Sequence, residues 1–155
     1  MCLFNSLFMS FLSYGIIVWG LTFSSFIEPI FKLQERAVRT ISNQPFYSNS
    51  AAILRLSDVF NLKLMTFVYE SVHKVSPSCF YNFFQMNSSV HHHNTRQAIR
   101  GDLFQSRWNS ICYGRMSIQH LGPKLWNNLP LSVKDSSNKY SFKSNLKRYL
   151  LSLNL

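Results

Sequence analysis

Between Met1 and Ile27 the chain carries no charged side chain, and the segment is rich in Leu, Phe, Ile and Trp. Roughly 20 apolar residues can cross a bilayer core as a helix, so residues 3–23 admit a membrane anchor. Asn5, Ser6, Ser10, Ser13, Thr22, Ser24 and Ser25 interrupt the run, and Gly15 and Gly20 weaken any helix through it. A secretory signal needs a basic start before its apolar stretch, and the first Lys or Arg is Lys32.

The rest of the composition bounds the fold. At 155 residues, 46% apolar and only 14% charged, the chain is one domain's worth with a core of its own, outside the low-hydrophobicity range of disorder. Sixteen Lys and Arg against six acids give +10, which favours an anionic partner, nucleic acid or an acidic membrane surface. Cys2, Cys79 and Cys112 are odd in number and far apart, so neither a disulfide framework nor a zinc knuckle is written here, and a reducing compartment (nucleus or cytoplasm) is the simpler setting. Glu28, Glu35, Asp58, Glu70, Asp102 and Asp135 include no neighbouring pair, while two-metal phosphoryl transfer needs converging carboxylates. Phosphate-loop, dinucleotide, nucleophile-elbow and zincin motifs are all missing from the sequence. No catalytic residue, cofactor or metal site is expected.

The chain reads as mainly helical: about five helices, a long loop and room for one short β-hairpin. Residues 1–85 form the helical part. Ser25 and Glu28 have the spacing of a capping box, with Pro29 in the first turn, which predicts a helix from Phe26 to Ser42. Along it Ile30, Leu33, Ala37 and Ile41 form an apolar stripe, and Lys32, Arg36 and Arg39 a basic one. Val59, Leu62, Met65, Tyr69 and Val72 mark a second amphipathic helix, with Ser57 as N-cap and Lys74 with Ser76-Pro77 as the stop. Pro77 then opens a short helix through Phe84.

Residues 86–121 lose the helical period and read as a long loop, which a hairpin between Leu103 and Leu121 would shorten. His91, His92 and His93 are successive, so no regular strand or helix aims all three at one ion. In residues 122–155, Gly122-Pro123 opens a short segment containing Trp126 that Pro130 closes. A last helix, from Ser141 to about Leu151, packs Phe142, Leu146, Tyr149 and Leu150 and carries Lys143, Lys147 and Arg148 on its flank. Residues 96–155 hold ten Lys and Arg against two acids, so the apolar and basic ends of the chain are separate.

Taken in order, several of these pieces resemble one family. They are Leu12-Ser13-Tyr14-Gly15-Ile16-Ile17-Val18-Trp19-Gly20, Leu33-Gln34-Glu35-Arg36-Ala37-Val38-Arg39, Asn94-Thr95-Arg96, Gly122-Pro123-Lys124-Leu125-Trp126-Asn127-Asn128-Leu129-Pro130 and Phe142-Lys143-Ser144-Asn145-Leu146-Lys147. Their order and spacing are similar to the thumb and post-thumb region of the reverse transcriptases of non-LTR (LINE-type, jockey-like) retrotransposons. The resemblance covers nearly the whole chain. It implies an origin downstream of the polymerase palm, whose paired Asp residues have no counterpart here, and hence a non-catalytic fragment of an RNA-directed DNA polymerase. It also implies that Leu3–Phe23 is a helix buried on all sides against the parent protein, including the missing palm.

By the same resemblance the partner is RNA or an RNA/DNA hybrid, held through phosphates with little base reading. The candidate contacts are Lys32, Arg36, Arg39, Arg96, Arg100, Lys124, Lys143, Lys147 and Arg148. Arg96 has a rival role in bracing its loop, and Trp126, Trp19 and Tyr14 are expected in the core, not stacked on bases. Two other functions stay open: a small basic membrane protein anchored by residues 3–23, and a remnant with no independent function.

Overall fold

A computed structural model describes residues 4–42, 56–90, 99–107, 110 and 114–153. The fold is mainly helical. A π-helical turn, Phe4–Met9, leads into α1 (Ser10–Ser13), and α2 (Ile16–Trp19), α3 (Ser24–Ser42) and α4 (Leu56–Val72) follow. After a 3-10 turn, Ser78–Phe80, come α5 (Asn87–Val90), α6 (Ile118–Asn127), α7 (Leu131–Lys134) and α8 (Lys139–Ser152). The chain divides into two compact units, Met1–Asn61 with Arg148–Leu155, and Leu62–Lys147. The divisions fall inside α4 and α8.

In the first unit the uncharged segment is not one helix. Tyr14 turns to extended backbone, Gly15 takes a left-handed φ of 60°, and the helix restarts at Ile16. Among the described residues no helix is long and apolar enough to cross a membrane. Nor is the segment buried on all sides: Ile16 packs with Val59, and Met9, Leu12, Ile17, Trp19, Ile30 and Phe31 lie partly buried around them. Phe11 and Tyr14, by contrast, are each 84% exposed and Val18 76%. The expectation that Tyr14 packs in the core is corrected. Its backbone has the internal role, its carbonyl accepting the Trp19 indole N–H at 2.8 Å.

α3 begins two residues before the position the capping box indicates. Ser25 is therefore inside the helix, Pro29 lies beyond the first turn, and Glu28 pairs with Lys32 at 3.1 Å. The packed face is also rotated from the expected stripe. Gln34 and Val38 are buried, whereas Leu33 and Ile41 are exposed. A polar Gln at the centre of the inward face hid that face from a reading by hydrophobic period.

The second unit is built on α4, where Leu62, Leu64, Met65, Val68, Tyr69 and Ser71 are all buried. Burial thus extends well beyond one stripe, as suits a central helix. Phe67 meets Phe80, Phe83 and Phe84 edge-on, with centroids 5.1 to 6.4 Å apart. On the other side Phe142 of α8 stacks on Tyr69 at 4.5 Å and on Trp126 of α6 at 5.8 Å. The stop of α4 is as read, and its geometry is a Schellman motif: Val75 N–H donates to Glu70 O at 2.8 Å and Lys74 N–H to Ser71 O at 3.3 Å. Lys74 occupies the left-handed position, φ 58°, where Gly is usual.

The helix expected through Phe84 is only the 3-10 turn, after which the chain bends. The hairpin between Leu103 and Leu121 is not formed. Leu103 makes an isolated antiparallel bridge with Met86, and Ile118–Leu121 are already helical. Gly122-Pro123 lies inside α6 and does not open it. A Cβ on Gly122 would stand 2.7 Å from the Phe84 ring, so glycine lets α6 approach closely, and buried Pro123 packs behind it. α8 starts two residues earlier than expected, at a cap the sequence contains: Asn138 Oδ1 accepts the Ser141 N–H at 2.8 Å.

Candidate nucleic-acid interface

Charge is divided unequally between the units. Residues 62–147 hold eleven Lys and Arg against three acids, the remaining positions five against three. In the basic unit two of the three acids are engaged by lysines. Lys139 Nζ meets Glu70 Oε1 at 2.5 Å, and this hydrogen bond and charge raise the Lys139 pKa above its ordinary value. Lys134 Nζ meets Asp102 Oδ1 at 2.7 Å with both side chains nearly sealed from solvent, 4% and 6% exposed. A pair so buried must satisfy itself, because each desolvated charge is costly alone.

Around Asp102 the Trp-Asn dipeptide of α6 clasps a neighbouring segment through its main chain. Trp126 Nε1–H donates to Gly101 O at 3.1 Å. Asn127 takes both polar groups of Leu103, accepting its N–H on Oδ1 at 2.8 Å and donating from Nδ2 to its carbonyl at 2.9 Å. One turn from the start of α6, His120 Nδ1 lies 3.3 Å from Ser106 O and Nε2 lies 3.2 Å from Gln105 Nε2. The tautomer with the proton on Nδ1 serves both bonds. Residues 101–106 therefore run antiparallel to α6, tied down along its length. The sequence reading kept Trp126 as a core residue, which it is, but missed Asn127, Lys134, Asp102 and His120. Nothing in their spacing announces a contact between positions 14 to 32 residues apart.

The expected contacts fall in separate places. Lys32 and Arg36 are exposed on α3, Lys32 paired with Glu28, and Arg39 is partly buried with Glu35 at 3.4 Å. With Pro29, Leu33 and Glu35 these three line an open groove of about 690 Å³, a mixed surface in which two cations already face acids. Arg100, Lys124, Lys143 and Lys147 are exposed in the basic unit, and among the described residues none of the four has a carboxylate at ion-pair distance. Lys143 and Lys147 stand one turn apart on α8, with Arg148 next along the helix and also exposed. The Trp126–Gly101 bond ties the residue after Arg100 to the last turn of α6, which also carries Lys124. Arg96 and His91, His92 and His93 lie outside the described residues.

Among the described residues no three His, Cys, Asp or Glu side chains converge to hold a metal ion. Cys79 is an exposed free thiol. Compared with protein-family models, curated proteins and solved structures, the chain matches none.

Proposed function

We propose that this chain is a non-catalytic piece of a retrotransposon RNA-directed DNA polymerase that binds RNA or an RNA/DNA hybrid without sequence preference. The observation that carries the reading is the charge of the Leu62–Lys147 unit, eleven cations to three acids, with two of those acids absorbed by Lys134 and Lys139. Outside those two ion pairs the unit's sequence holds nine Lys and Arg and one acid, Asp135. Like charges at i and i+4 on a helix are unfavourable by a few tenths of a kcal/mol, so Lys143 and Lys147 together suit an anionic neighbour better than a solvated face. The resemblance to the thumb region of non-LTR reverse transcriptases supplies the class of that neighbour, and the exposed thiol of Cys79 fits a nuclear or cytoplasmic setting.

The test is salt dependence. If five cations touch a single strand, log K against log salt falls with a slope of roughly −3.5, using about −0.7 per contact. Equal affinity for unrelated RNA sequences completes the expected result, and a flat salt response removes the reading.

A second reading is supported by the first unit. Phe11 and Tyr14 border an open groove of about 620 Å³ with Leu12, Trp19 and Ile30, and Val18 is exposed nearby in sequence. Such a surface suits a remnant with little stability or function of its own. Cooperative urea unfolding of the purified chain would count against it, and non-cooperative loss of helix would favour it.

A further inference from the structure

Arg107 and Arg115 take no part in the candidate set, yet both are exposed, and among the described residues neither faces a carboxylate at ion-pair distance. Two independent ties bring them to the same end of α6. Arg107 follows Ser106, whose carbonyl is held by the His120 ring. Arg115 stands two residues before Ser117, the N-cap of α6, and its own N–H is bonded to Ser110 O at 3.3 Å. Ser117 O in turn accepts the His120 N–H at 3.1 Å, so one turn of backbone joins the two anchor points.

At the other end of α6, Lys124 lies in the last turn, and the Trp126–Gly101 bond ties the residue after Arg100 to that turn. α6 has ten residues, a length of about 15 Å. The segment between the two ends, residues 101–106, exposes Gln105 and Ser106 and keeps Asp102 buried against Lys134, so its one acid does not face outward.

We infer that the 100–107 segment and the start of α6 form a phosphate-binding track, with Arg107 and Arg115 gripping a polynucleotide backbone at one end and Arg100 and Lys124 at the other. The inference rests on the nucleic-acid reading above and adds to it the residues and the extent of one contact surface, about 15 Å along the strand. Among the described residues the surface is built of main-chain ties, polar side chains and cations, and its one aromatic side chain, Phe104, is half-buried. It therefore holds phosphates and leaves base identity unread.

The experiment measures binding of a 12-nucleotide oligouridylate to the full chain by fluorescence anisotropy between 50 and 300 mM salt. R107Q/R115Q is expected to weaken binding at least tenfold at the lowest salt and to reduce the slope by about 1.4, at about 0.7 per lost contact. R107K/R115K, which restores the charges, is expected to restore the slope. If the wild-type chain binds with a steep slope and R107Q/R115Q binds equally well, the track is overturned while the general reading stands. A slope that the lysines fail to restore also overturns it. If the wild-type chain shows no salt-dependent binding, both fall together. The two arginines are exposed, so unchanged circular dichroism is expected for each variant.

Discussion

The side-chain amide of Asn127 replaces a β-strand partner for Leu103, accepting its N–H and donating to its carbonyl within 2.9 Å. Leu103 has no exposed surface, so neither main-chain group has water as an alternative. Asn127→Ala leaves the Leu103 N–H unsatisfied, at about 1–3 kcal/mol, and its carbonyl with the longer bond from Asn87 Nδ2 at 3.4 Å. The expected loss is about 1–3 kcal/mol in urea unfolding. Asn127→Asp, which keeps the acceptor and turns a second oxygen toward the Leu103 carbonyl, should recover little of it.

Lys134 and Asp102 should behave as a unit. Lys134→Met strands a buried carboxylate and is expected to cost about 3–5 kcal/mol, as is Asp102→Leu for the buried ammonium. The double variant K134M/D102L should be much less destabilised than the sum of the two. A double-mutant cycle measures this coupling, and strict additivity would show that the pair is not desolvated.

Gly122→Ala brings a methyl to 2.7 Å from the Phe84 ring and 3.1 Å from Val68 Cγ2. Since α6 has no room to withdraw without loosening the Trp126 and Asn127 clasp, overpacking of about 1–3 kcal/mol is expected. Gly101→Ala meets no side chain, but it is strained by φ 65°. Thermal melts of the two variants separate crowding from backbone strain, because an additional Phe84→Leu change should relieve only the first.

At the left-handed stop of α4, Lys74→Gly should stabilise the fold by up to about 1 kcal/mol, since a Cβ is unfavourable at φ 58°. The Schellman bonds to Glu70 and Ser71 are main-chain and survive the change. A rise in melting temperature is the readout.

Partial burial, with its ring 4.1 Å from that of Tyr69, holds His73 below its ordinary pKa of 6.5. The unfolded chain therefore binds the proton more readily, and this group's contribution is present above pH 6.5 and lost as pH falls through the folded-state value. Stability measured from pH 7.5 down to 5 should decline, and His73→Phe should flatten that decline.

Sequence periodicity located the helices well where apolar residues recur at helical spacing, as along α4, though burial there exceeds one stripe, and at Phe142 and Leu146 of α8. It misplaced the inward face of α3, because Gln34 sits at its centre and Leu33 is left outside. The resemblance implied one helix over the uncharged start, and the break falls at Tyr14-Gly15, where the sequence itself marks Gly15 as weakening a helix. The basic candidates were legible as charges, but which of them are quenched was not. That depends on Glu28 meeting Lys32 and Glu35 meeting Arg39, while Glu70 and Asp102 are taken up by Lys139 and Lys134, which stand outside the candidate set.

Trp126, Asn127 and His120 fasten the segment beside α6 through main-chain carbonyls and one amide, apart from the single side-chain contact at Gln105. Placement of that ribbon is consequently indifferent to most of the residues it displays. Outward-facing positions such as Arg100, Ser106 and Arg107 can be exchanged by mutation while the scaffold underneath keeps its shape, so this is where a descendant of the chain could acquire a new binding preference without refolding.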